Sequence, residues 1–365
     1  MRTSFLCLVL LSLNSMWAQG EDVEPLFESA RQAGRGKTFV AAQDSDEASR
    51  FNPAALASGR VKFQLRFFGF DAFTGENTVN TLSDISKMND SSTGGISFLR
   101  KFNDKFGKRQ YFRGQISPLS LRVGGFEFSP FASNASWLEF NDPPIPSVQW
   151  KSDSFAGLGF SYGFAPITNW EVGLSVRPLS RWYIAGDLGF MDIMDFLPPG
   201  DKTFTDVTTV RSGSGVGTDV GLTWNPNKDT RLGFSWQNLG DVSFSGSEAP
   251  PSLQQMISIG GLQRFHLGRW DWDFLADLQD ITNRHGFNLL RLLHFGTEFG
   301  RSVFGRDHDF GITAGINEGY LCGGIFADLY IARLDVSSYA VELGHSPGQK
   351  IDRRLAASIR STMTF

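Results

Sequence analysis

The side chains that most often catalyse reactions or bind metals are spread thinly along this chain. Its five histidines form no His-Glu-x-x-His pattern and no group with cysteine. They are His266, His285, His294, His308 and His345. A Ser-His-Asp triad is assembled by the fold and recognised by its geometry, so the sequence alone gives no reason to expect one. We therefore expect no enzymatic activity, no metal site and no cofactor.

Charged side chains, in contrast, recur at a spacing of two residues, as they do on one face of a β-strand. Asp271, Asp273 and Asp277 alternate with apolar residues, and Leu275 is the one exception. Basic residues at comparable positions of other strands are Arg177, Arg231, Arg354 and Arg360. Two roles suit such charges. They can form ion pairs that anchor a segment inside a barrel, or they can line a path for a charged solute.

A compact, alanine-rich stretch precedes the alternating segments. It runs from Gly34 to Ala57 and reads GRGKTFVAAQDSDEASRFNPAALA. Glycines stand at its head, at Gly34 and Gly36, and Asn52-Pro53-Ala54 stands at its foot. Charged residues of this stretch that suit the charges of the strands are Lys37, Asp44 and Asp46. A capped helix followed by a turn would give a similar pattern.

The first residues indicate an exported protein, and its composition is rich in Gly and Phe. Of 365 residues, 40 are Gly and 34 are Phe, while the mean hydropathy of −0.17 would suit a water-soluble protein. A membrane barrel has the same mean, because only every second residue of its strands faces lipid. Residues 1–20 read as a secretory signal, with Arg2, a short apolar run and Ala18-Gln19-Gly20. Removal of that signal leaves Cys322 as the single cysteine, so no intrachain disulfide is expected.

Alternation after residue 60 predicts about 14 antiparallel strands. Short turns are expected near Gly124, Pro166, Pro226 and Gly268, and long loops at 72–110 and 187–212. Short turns on one side and long loops on the other are typical of bacterial outer-membrane barrels. In the first long loop, Ile96, Leu99, Phe102 and Phe106 have helical spacing. The predicted fold class is therefore all-β, a transmembrane barrel over residues 60–365 with an N-terminal hatch, residues 21–59, in its lumen.

Two further features of the strands carry predictions. Pro178 lies inside a strand, and because proline cannot donate to a ladder, it marks a candidate kink in the wall. The chain ends on Phe365 after a final alternating strand. A terminal strand of this kind resembles the signal by which outer-membrane barrels are assembled, so we expect the barrel-assembly machinery and outer-membrane lipid as partners. The net charge of −4, with no basic block, argues against nucleic-acid binding.

The stretch from Gly34 to Ala57 resembles the hatch of the FadL/OMPP1/TodX family of outer-membrane channels. Lys37 and Ala55 depart from the family pattern, which has Gly or Ala and then Asn-Pro-Ala-Gly. The resemblance implies passive uptake of hydrophobic compounds such as long-chain fatty acids, with the ligand leaving sideways through a kink in the wall. It places the ligand path at Gly34, Gly36, Phe39, Asn52, Pro53 and Ala54. Aromatic residues that could line this path are Phe128, Phe131, Trp137 and Phe196.

The resemblance also leaves a second function open. PorV-like members of the same superfamily are barrels that transport nothing and act as scaffolds for secretion or surface-protein systems. A transporter needs an opening in the wall and a continuous apolar pocket beside the hatch. A scaffold needs ordered outer loops and a lumen closed by hatch charges. Both functions predict location in a bacterial outer membrane.

Overall fold

The computed structural model describes residues 25–42, 47–58, 62–80, 107–141, 147–189, 208–303, 308–329 and 331–364. Several sequence predictions lie outside these residues. They are the signal at 1–20, the helix near 96–106, Asp44, Asp46, Phe196 and Phe365. In the described part of the chain, no helix combines the length and the apolar character needed to cross a membrane.

One antiparallel sheet dominates the described residues and closes on itself. Its strands are β1 (Phe63–Gly75), β2 (Arg109–Ser117), β3 (Ser120–Val123), β4 (Phe126–Asn141), β5 (Ser147–Ile167), β6 (Trp170–Leu188), β7 (Thr208–Trp224), β8 (Thr230–Gln237), β9 (Met256–Leu267), β10 (Trp270–Leu278), β11 (Leu293–Arg301), β12 (Phe310–Asn317), β13 (Tyr320–Asp328), β14 (Ala332–Glu342) and β15 (Ile351–Thr364). The strand β15 pairs with β1, which closes the barrel. Because β2 and β3 both pair with β1 and β4, they fill one position, and the described wall has 14 positions.

Helical structure is confined to short pieces. The N-terminal part holds two helices, Ala30–Gly34 and Ala48–Phe51, and a 3-10 helix, Pro53–Ser58. Residues 76–80 are helical after β1, and the helix Leu289–Leu292 precedes β11. The side chain of Asn288 caps this last helix by accepting from the Leu290 amide at 3.0 Å.

Alternation sorts side chains between an apolar outer face and a polar inner face. On β15, Leu355 and Ile359 are each 44% exposed on the outside, while Arg354 and Arg360 are almost fully buried inside. A water-soluble protein has the opposite arrangement, because it buries its apolar side chains. This inversion is what a barrel in lipid requires, and it confirms the predicted all-β, 14-stranded antiparallel architecture.

Some strand boundaries differ from the predicted ones. Alternation predicts the second strand from Tyr111 to Arg122. It is interrupted at Pro118 and Leu119, because proline has no N–H for the ladder, and it becomes β2 and β3. The seventh predicted strand extended to Phe244, but β8 ends at Gln237. It ends there because the next residues turn the chain, with Asn238 at φ 51° and Asp241 at φ 66°. Residues 238–255 are therefore a long loop, and alternation mistook its beginning, residues 238–244, and its end, residues 253–255, for strand.

Candidate functional site

The N-terminal segment, defined here as residues 25–58, lies against the inner face of the wall on several sides. Its helix Ala30–Gly34 contacts β12 to β15, and its 3-10 helix Pro53–Ser58 contacts β5 to β7. The described side chains of this segment are almost all buried, although the segment has little regular structure of its own. Its conformation is therefore determined by the wall, through glycines, a small number of carboxylates and an apolar cluster.

Both glycines at the head of the segment are required by close contact. A Cβ atom at Gly34 would lie 2.4 Å from the Thr313 hydroxyl oxygen on β12. Gly36 has φ +73°, and a Cβ there would lie 2.2 Å from the carbonyl oxygen of Phe295. The next residue, Lys37, also has a positive φ, 60°, which costs a non-glycine residue about 1 kcal/mol or more.

The Asn52-Pro53-Ala54 turn is seated on glycines of the wall. The Asn52 carboxamide accepts from the Ala54 amide at 3.1 Å and donates to the Val40 carbonyl at 2.7 Å, which ties the two ends of the segment together. Beneath it, a Cβ at Gly173 would lie 2.1 Å from the Pro53 carbonyl carbon, and one at Gly221 would lie 2.0 Å from the Asn52 side-chain oxygen.

Those glycines belong to a row that crosses the wall. Paired residues in the ladder include Gly163 with Gly173, Gly173 with Gly221, Gly233 with Gly260, and Gly296 with Gly315. A Cβ at any of them would lie within 3 Å of the N-terminal segment. The row therefore provides the space in which the segment lies.

Phe39, predicted to touch a ligand, is held by its backbone as well as by its ring. The Phe39 and Val40 amides both donate to the Asp277 carboxylate, at 2.7 and 3.0 Å. The Phe39 ring packs on Phe51 with centroids 5.5 Å apart. Asp277 is one of the acids that alternation assigned to the inside of the barrel, and it lies there.

Ion pairs attach the segment to other strands. Glu298 on β11 accepts from Arg31 at 2.9 Å and from Arg35 at 3.2 Å, and all three side chains are buried. Arg360 on β15 lies 2.7 Å from Glu47 and 2.6 Å from Asp71. Removing one partner of a buried pair of this kind typically costs about 3–5 kcal/mol, because the other charge is left buried without compensation.

Three of the predicted charges have other partners. Lys37 pairs with Glu28 of the same segment at 2.9 Å rather than with an acid of the wall. Burial opposes ionisation of Glu28, but the Lys37 and Arg113 charges outweigh it and lower the pKa of the Glu28 carboxyl. Arg177 pairs with Asp219 of the neighbouring strand, and Arg231 donates to Asn225 at 2.7 Å near a turn. Only part of the charged inner face therefore contacts the segment.

A cavity of about 310 Å³ lies between the segment and the end of the barrel that carries loops 238–255 and 279–292. Its apolar lining comes from Leu26, Phe27, Phe39, Phe51, Leu253, Met256, Phe287, Leu292 and Val341. Polar groups enter from the segment and from β5 and β6, among them Arg50 and Arg181. Most of the lining residues are polar and many are charged, so the cavity combines an apolar patch around Phe27 with a large charged surface.

An apolar cluster continues from this cavity to the wall. Phe27 lines the cavity, and its ring meets Phe131 on β4 with centroids 4.9 Å apart in an edge-on arrangement. Phe131 and Leu179 on β6 belong to the same buried cluster. The side chain of Phe27 therefore stands between the cavity and the strands β4 to β6.

The ladder is interrupted where this cluster reaches the wall. Pairing of β5 with β6 stops after Phe160–Val176 and resumes at Gly157–Leu179, so Leu158 faces Pro178 outside the ladder. On its other side Leu158 pairs with Pro130 of β4. Leu158 therefore lies between two prolines, neither of which has an N–H to donate to a ladder, and the pairing is interrupted on the β6 side.

The same level of the wall is irregular on the adjoining strands. The break between β2 and β3, at Pro118 and Leu119, lies opposite Ser129 to Phe131 of β4. A bulge at Phe67 shifts the register between β1 and β15 next to it. Pro178, predicted as a kink, is thus one part of a seam that crosses β1 to β6. We use the word seam for these residues of β1 to β6.

Other predicted path residues divide between the two faces. Phe131 points inward, whereas Phe128 packs against Phe160, which is 40% exposed on the outside. Trp137 is half-buried under the Arg109 guanidinium, 4.2 Å from its ring centroid. Phe27 and Arg50 were not selected from the sequence, because neither belongs to an alternating strand or to the quoted motif. Phe27 lies soon after the expected signal, in a stretch with no alternating neighbours from which its role could be predicted.

One esterase-like pattern, Gly159-Phe160-Ser161-Tyr162-Gly163, occurs in the middle of β5. The strand continues through it, without the strand–turn–helix that exposes a nucleophile. The Ser161 hydroxyl lies 2.8 Å from that of Ser175. Among the described residues, no group of three metal-ligating side chains is present.

Comparisons with known proteins follow the fold. No protein-family model matches the chain, and no curated protein matches its sequence. Among solved structures it is similar to the Pseudomonas putida toluene transporter TodX, with 14% identity, a TM-score of 0.53, and coverage of 95% of this chain and 100% of that one. The Ralstonia pickettii toluene transporter TbuX gives 14% identity and 0.51, with coverage of 94% and 99%.

A FadL homologue of Pseudomonas aeruginosa is also similar, with 12% identity, a TM-score of 0.50, and coverage of 92% of this chain and 98% of that one. Identities this low carry information about architecture alone. Each comparison spans nearly the whole of both chains, so the similarity covers the wall and is not limited to a few strands. The chain therefore has the fold of the FadL- and TodX-type outer-membrane channels.

Proposed function

We propose that the protein is a passive outer-membrane channel for hydrophobic compounds. The observation that carries this proposal is the unbroken apolar cluster from the cavity, through Phe27 and Phe131, to the seam at Pro178. A ligand that leaves between strands enters the bilayer directly. From the cavity, whose lining also contains charged side chains, it follows the apolar cluster to the wall.

The N-terminal segment acts in this proposal as the plug of the lumen. A barrel of 14 strands is too wide for its own side chains to fill, so an interior segment is needed to prevent leakage. Gly34, Gly36, Phe39 and the Asn52-Pro53-Ala54 turn hold the segment against the wall, and Phe39 also lines the cavity. Deletion of residues 34–57 is expected to raise conductance in planar bilayers, and unchanged conductance would contradict a plug.

The polar lining of the cavity suggests the class of compound. The Arg50 side chain donates to the Ser117 hydroxyl at the β2–β3 break, and its guanidinium stands 5.3 Å from the centroid of Phe27. Burial, together with the charge of Arg66, lowers the pKa of Arg50 to about 10. A desolvated cation beside apolar side chains suits an apolar compound that carries one carboxylate, such as a long-chain fatty acid.

Native mass spectrometry of the intact protein in mild detergent tests binding. Palmitate and toluene are the probes, and Arg50→Gln is the variant. We expect the variant to lose affinity for palmitate while toluene binds as before. Equal loss of both probes would mean that Arg50 shapes the cavity and does not bind a carboxylate. A barrel that binds neither and instead carries a stoichiometric protein would support the scaffold function.

The seam is tested by closing it. In a Cys322→Ala background, Leu158→Cys and Pro178→Cys face each other across the interrupted pairing, and a disulfide between them would join β5 to β6. Cysteines at Phe160 and Val176, one outward row away and within the ladder, are the matched control. Oxidation is expected to stop release of ligand into liposomes only in the first variant. Equal rates in both variants would exclude this exit.

A further inference from the structure

Four neighbouring strands are the longest of the described strands of the barrel. They are β4, β5, β6 and β7, with 16, 21, 19 and 17 residues, whereas β10, β11 and β13 have nine residues each. About 9–11 residues of a tilted strand suffice to cross a bilayer. The outward apolar band of β5 runs from Phe164 to Leu158, and the strand continues for eleven residues beyond it, from Gly157 to Ser147. These four strands therefore project past the apolar band on the side opposite the short turns.

Among the described residues of these four strands, the outward face of the projection carries no charged side chain. Its pairing defines four rows of four residues each, all with even numbers. The rows are Ala132, Ala156, Ser180 and Ser214; Asn134, Ser154, Trp182 and Ser212; Ser136, Ser152, Ile184 and Val210; and Leu138, Trp150, Gly186 and Thr208. We call these 16 residues the projecting face.

Charge is sorted between the two sides of the same strands. The inward side of the projection carries Lys151, Asp153, Arg181 and Arg211. A sheet face in water normally carries charges, which keep it soluble and prevent association. Trp182 is 46% exposed and Val210 56% exposed on the projecting face, so the absence of charge there is not a result of burial.

The polar groups of the projecting face are already ordered. The Asn134 amide donates to the hydroxyls of Ser152 and Ser154, at 2.9 and 2.8 Å, and the Ser136 hydroxyl donates to the Asn134 oxygen at 2.9 Å. The Trp150 ring lies flat over Gly186, where a Cβ would come within 2.0 Å of it. The face thus combines flat aromatic rings with fixed hydroxyl and amide groups.

We propose that the projecting face binds the neutral sugar rings of the glycolipid in the outer leaflet. Tryptophan rings stack on the apolar faces of sugars, and serine and asparagine bond to sugar hydroxyls without the cost of burying a charge. Its position just beyond the apolar band is where lipid headgroups lie. The inference rests on the membrane placement in the proposed function, but it concerns the outside of the wall and is independent of the cavity.

The charge of the face favours neutral sugars over phosphate groups. Its four strands about 4.8 Å apart and four rows about 6.8 Å apart cover about 500 Å², and the outward surface continues without charge onto β2 through Phe112, Gly114 and Ile116. The phosphate groups of a lipid would need basic partners, and the described residues of the face provide none. Neutral sugar rings need only the aromatic rings, hydroxyls and amides that the face carries.

Full-length protein in phospholipid nanodiscs tests the proposal, with three probes. They are lipopolysaccharide with its complete sugar core, its lipid A portion, which lacks that core, and a soluble protein of similar mass. Trp182→Ala is the variant, and Trp272→Ala, an outward aromatic near the short turns, is the matched control. We expect Trp182→Ala to weaken binding of the complete lipopolysaccharide about tenfold, as loss of one stacking contact does, and to leave lipid A unchanged.

Equal binding of lipid A and the complete lipopolysaccharide by the unmodified protein would overturn the proposal, and so would equal effects of the two tryptophan variants. Tight binding of the protein probe would also overturn it. Val210→Asp introduces a charge at an exposed position and should weaken sugar binding even if Trp182→Ala folds poorly. Palmitate binding in the cavity is expected to be unaffected by either variant. If the unmodified protein binds the complete lipopolysaccharide but no palmitate, the proposed channel fails while the sugar-binding proposal stands.

Discussion

The substitution Gly173→Ala is the sharpest test of how the wall positions the N-terminal segment. The added Cβ would lie 2.1 Å from the Pro53 carbonyl carbon and 2.3 Å from the Ala54 nitrogen. Ordinary contact begins near 3.4 Å, so the Asn52-Pro53-Ala54 turn must retreat by more than 1 Å. Both clashing atoms belong to the backbone and have no rotamer to change. The turn must therefore leave its seat.

Overpacking of this kind costs about 1–3 kcal/mol. If the cost falls on docking of the segment, the ratio of docked to undocked barrels falls roughly 5- to 150-fold. The barrel itself should keep its heat-modifiable folded form, since alanine is tolerated in a strand at least as well as glycine. Hydrogen exchange at residues 50–56 measures docking directly, and conductance of single barrels in planar bilayers measures its consequence.

Gly114→Ala is the matched control, because Gly114 is a strand glycine whose nearest atoms to an added Cβ belong to Phe112 at 3.8 Å. We expect faster exchange and more frequent open events for Gly173→Ala alone. If both variants exchange at the rate of the unmodified protein, the glycine row does not position the segment. If exchange accelerates without a change in conductance, the segment is seated as described but does not block the lumen.

Three further outcomes are expected. Glu298→Gln leaves the Arg31 and Arg35 guanidiniums buried without their carboxylate, and it should lower protection of the segment from proteases by an amount equivalent to about 3–5 kcal/mol; unchanged cleavage would contradict this. The pKa of Glu28 is lowered from 4.5 and the pKa of Lys37 is raised from 10.5, so their pair stabilises the segment fully between about pH 4.5 and 10.5. This contribution is lost as the pH falls through the lowered pKa of Glu28, or rises through the raised pKa of Lys37. The protection factors of the segment, which correct exchange for its intrinsic rate at each pH, should therefore fall at acid pH by more in the unmodified protein than in Glu28→Gln. Deletion of Phe365 should reduce the amount of folded barrel in outer membranes more than the amount synthesised, which heat-modifiable electrophoresis on membrane fractions measures.

Strand positions could be predicted from the sequence because alternation in a membrane barrel is enforced on both faces. The ninth predicted strand, from Trp270 to Asp280, matches β10 closely, because lipid selects its apolar residues and the interior selects its acids. Even the exception, Leu275, is buried on the inside. Alternation does not predict the end of a strand where a proline or a residue with positive φ controls the backbone, as at Pro118 and Asn238.

The interior was harder to predict, because its contacts join residues that are distant in the sequence. The motif indicated Gly34, Gly36 and Asn52, and each is fixed by a contact with the wall. No local pattern indicates that Asp277 holds the Phe39 amide, since 238 residues separate them. The row of wall glycines was visible only as a high glycine content. Its meaning depends on register, which links Gly163 to Gly173 and Gly221 across three strands.

The distances along the chain between contacting partners have a consequence for assembly. Arg31 binds Glu298, 267 residues later, and Asp71 binds Arg360, 289 residues later. The segment is made first, yet several of its partners are made near the end, and β1 waits for β15 before the wall is complete. Contacts between residues so far apart in the sequence form slowly, because the chain loses conformational entropy in closing the loop before the contact provides stability. The final step of biogenesis is therefore expected to be docking of the oldest part of the chain, and until then the barrel would be an open pore.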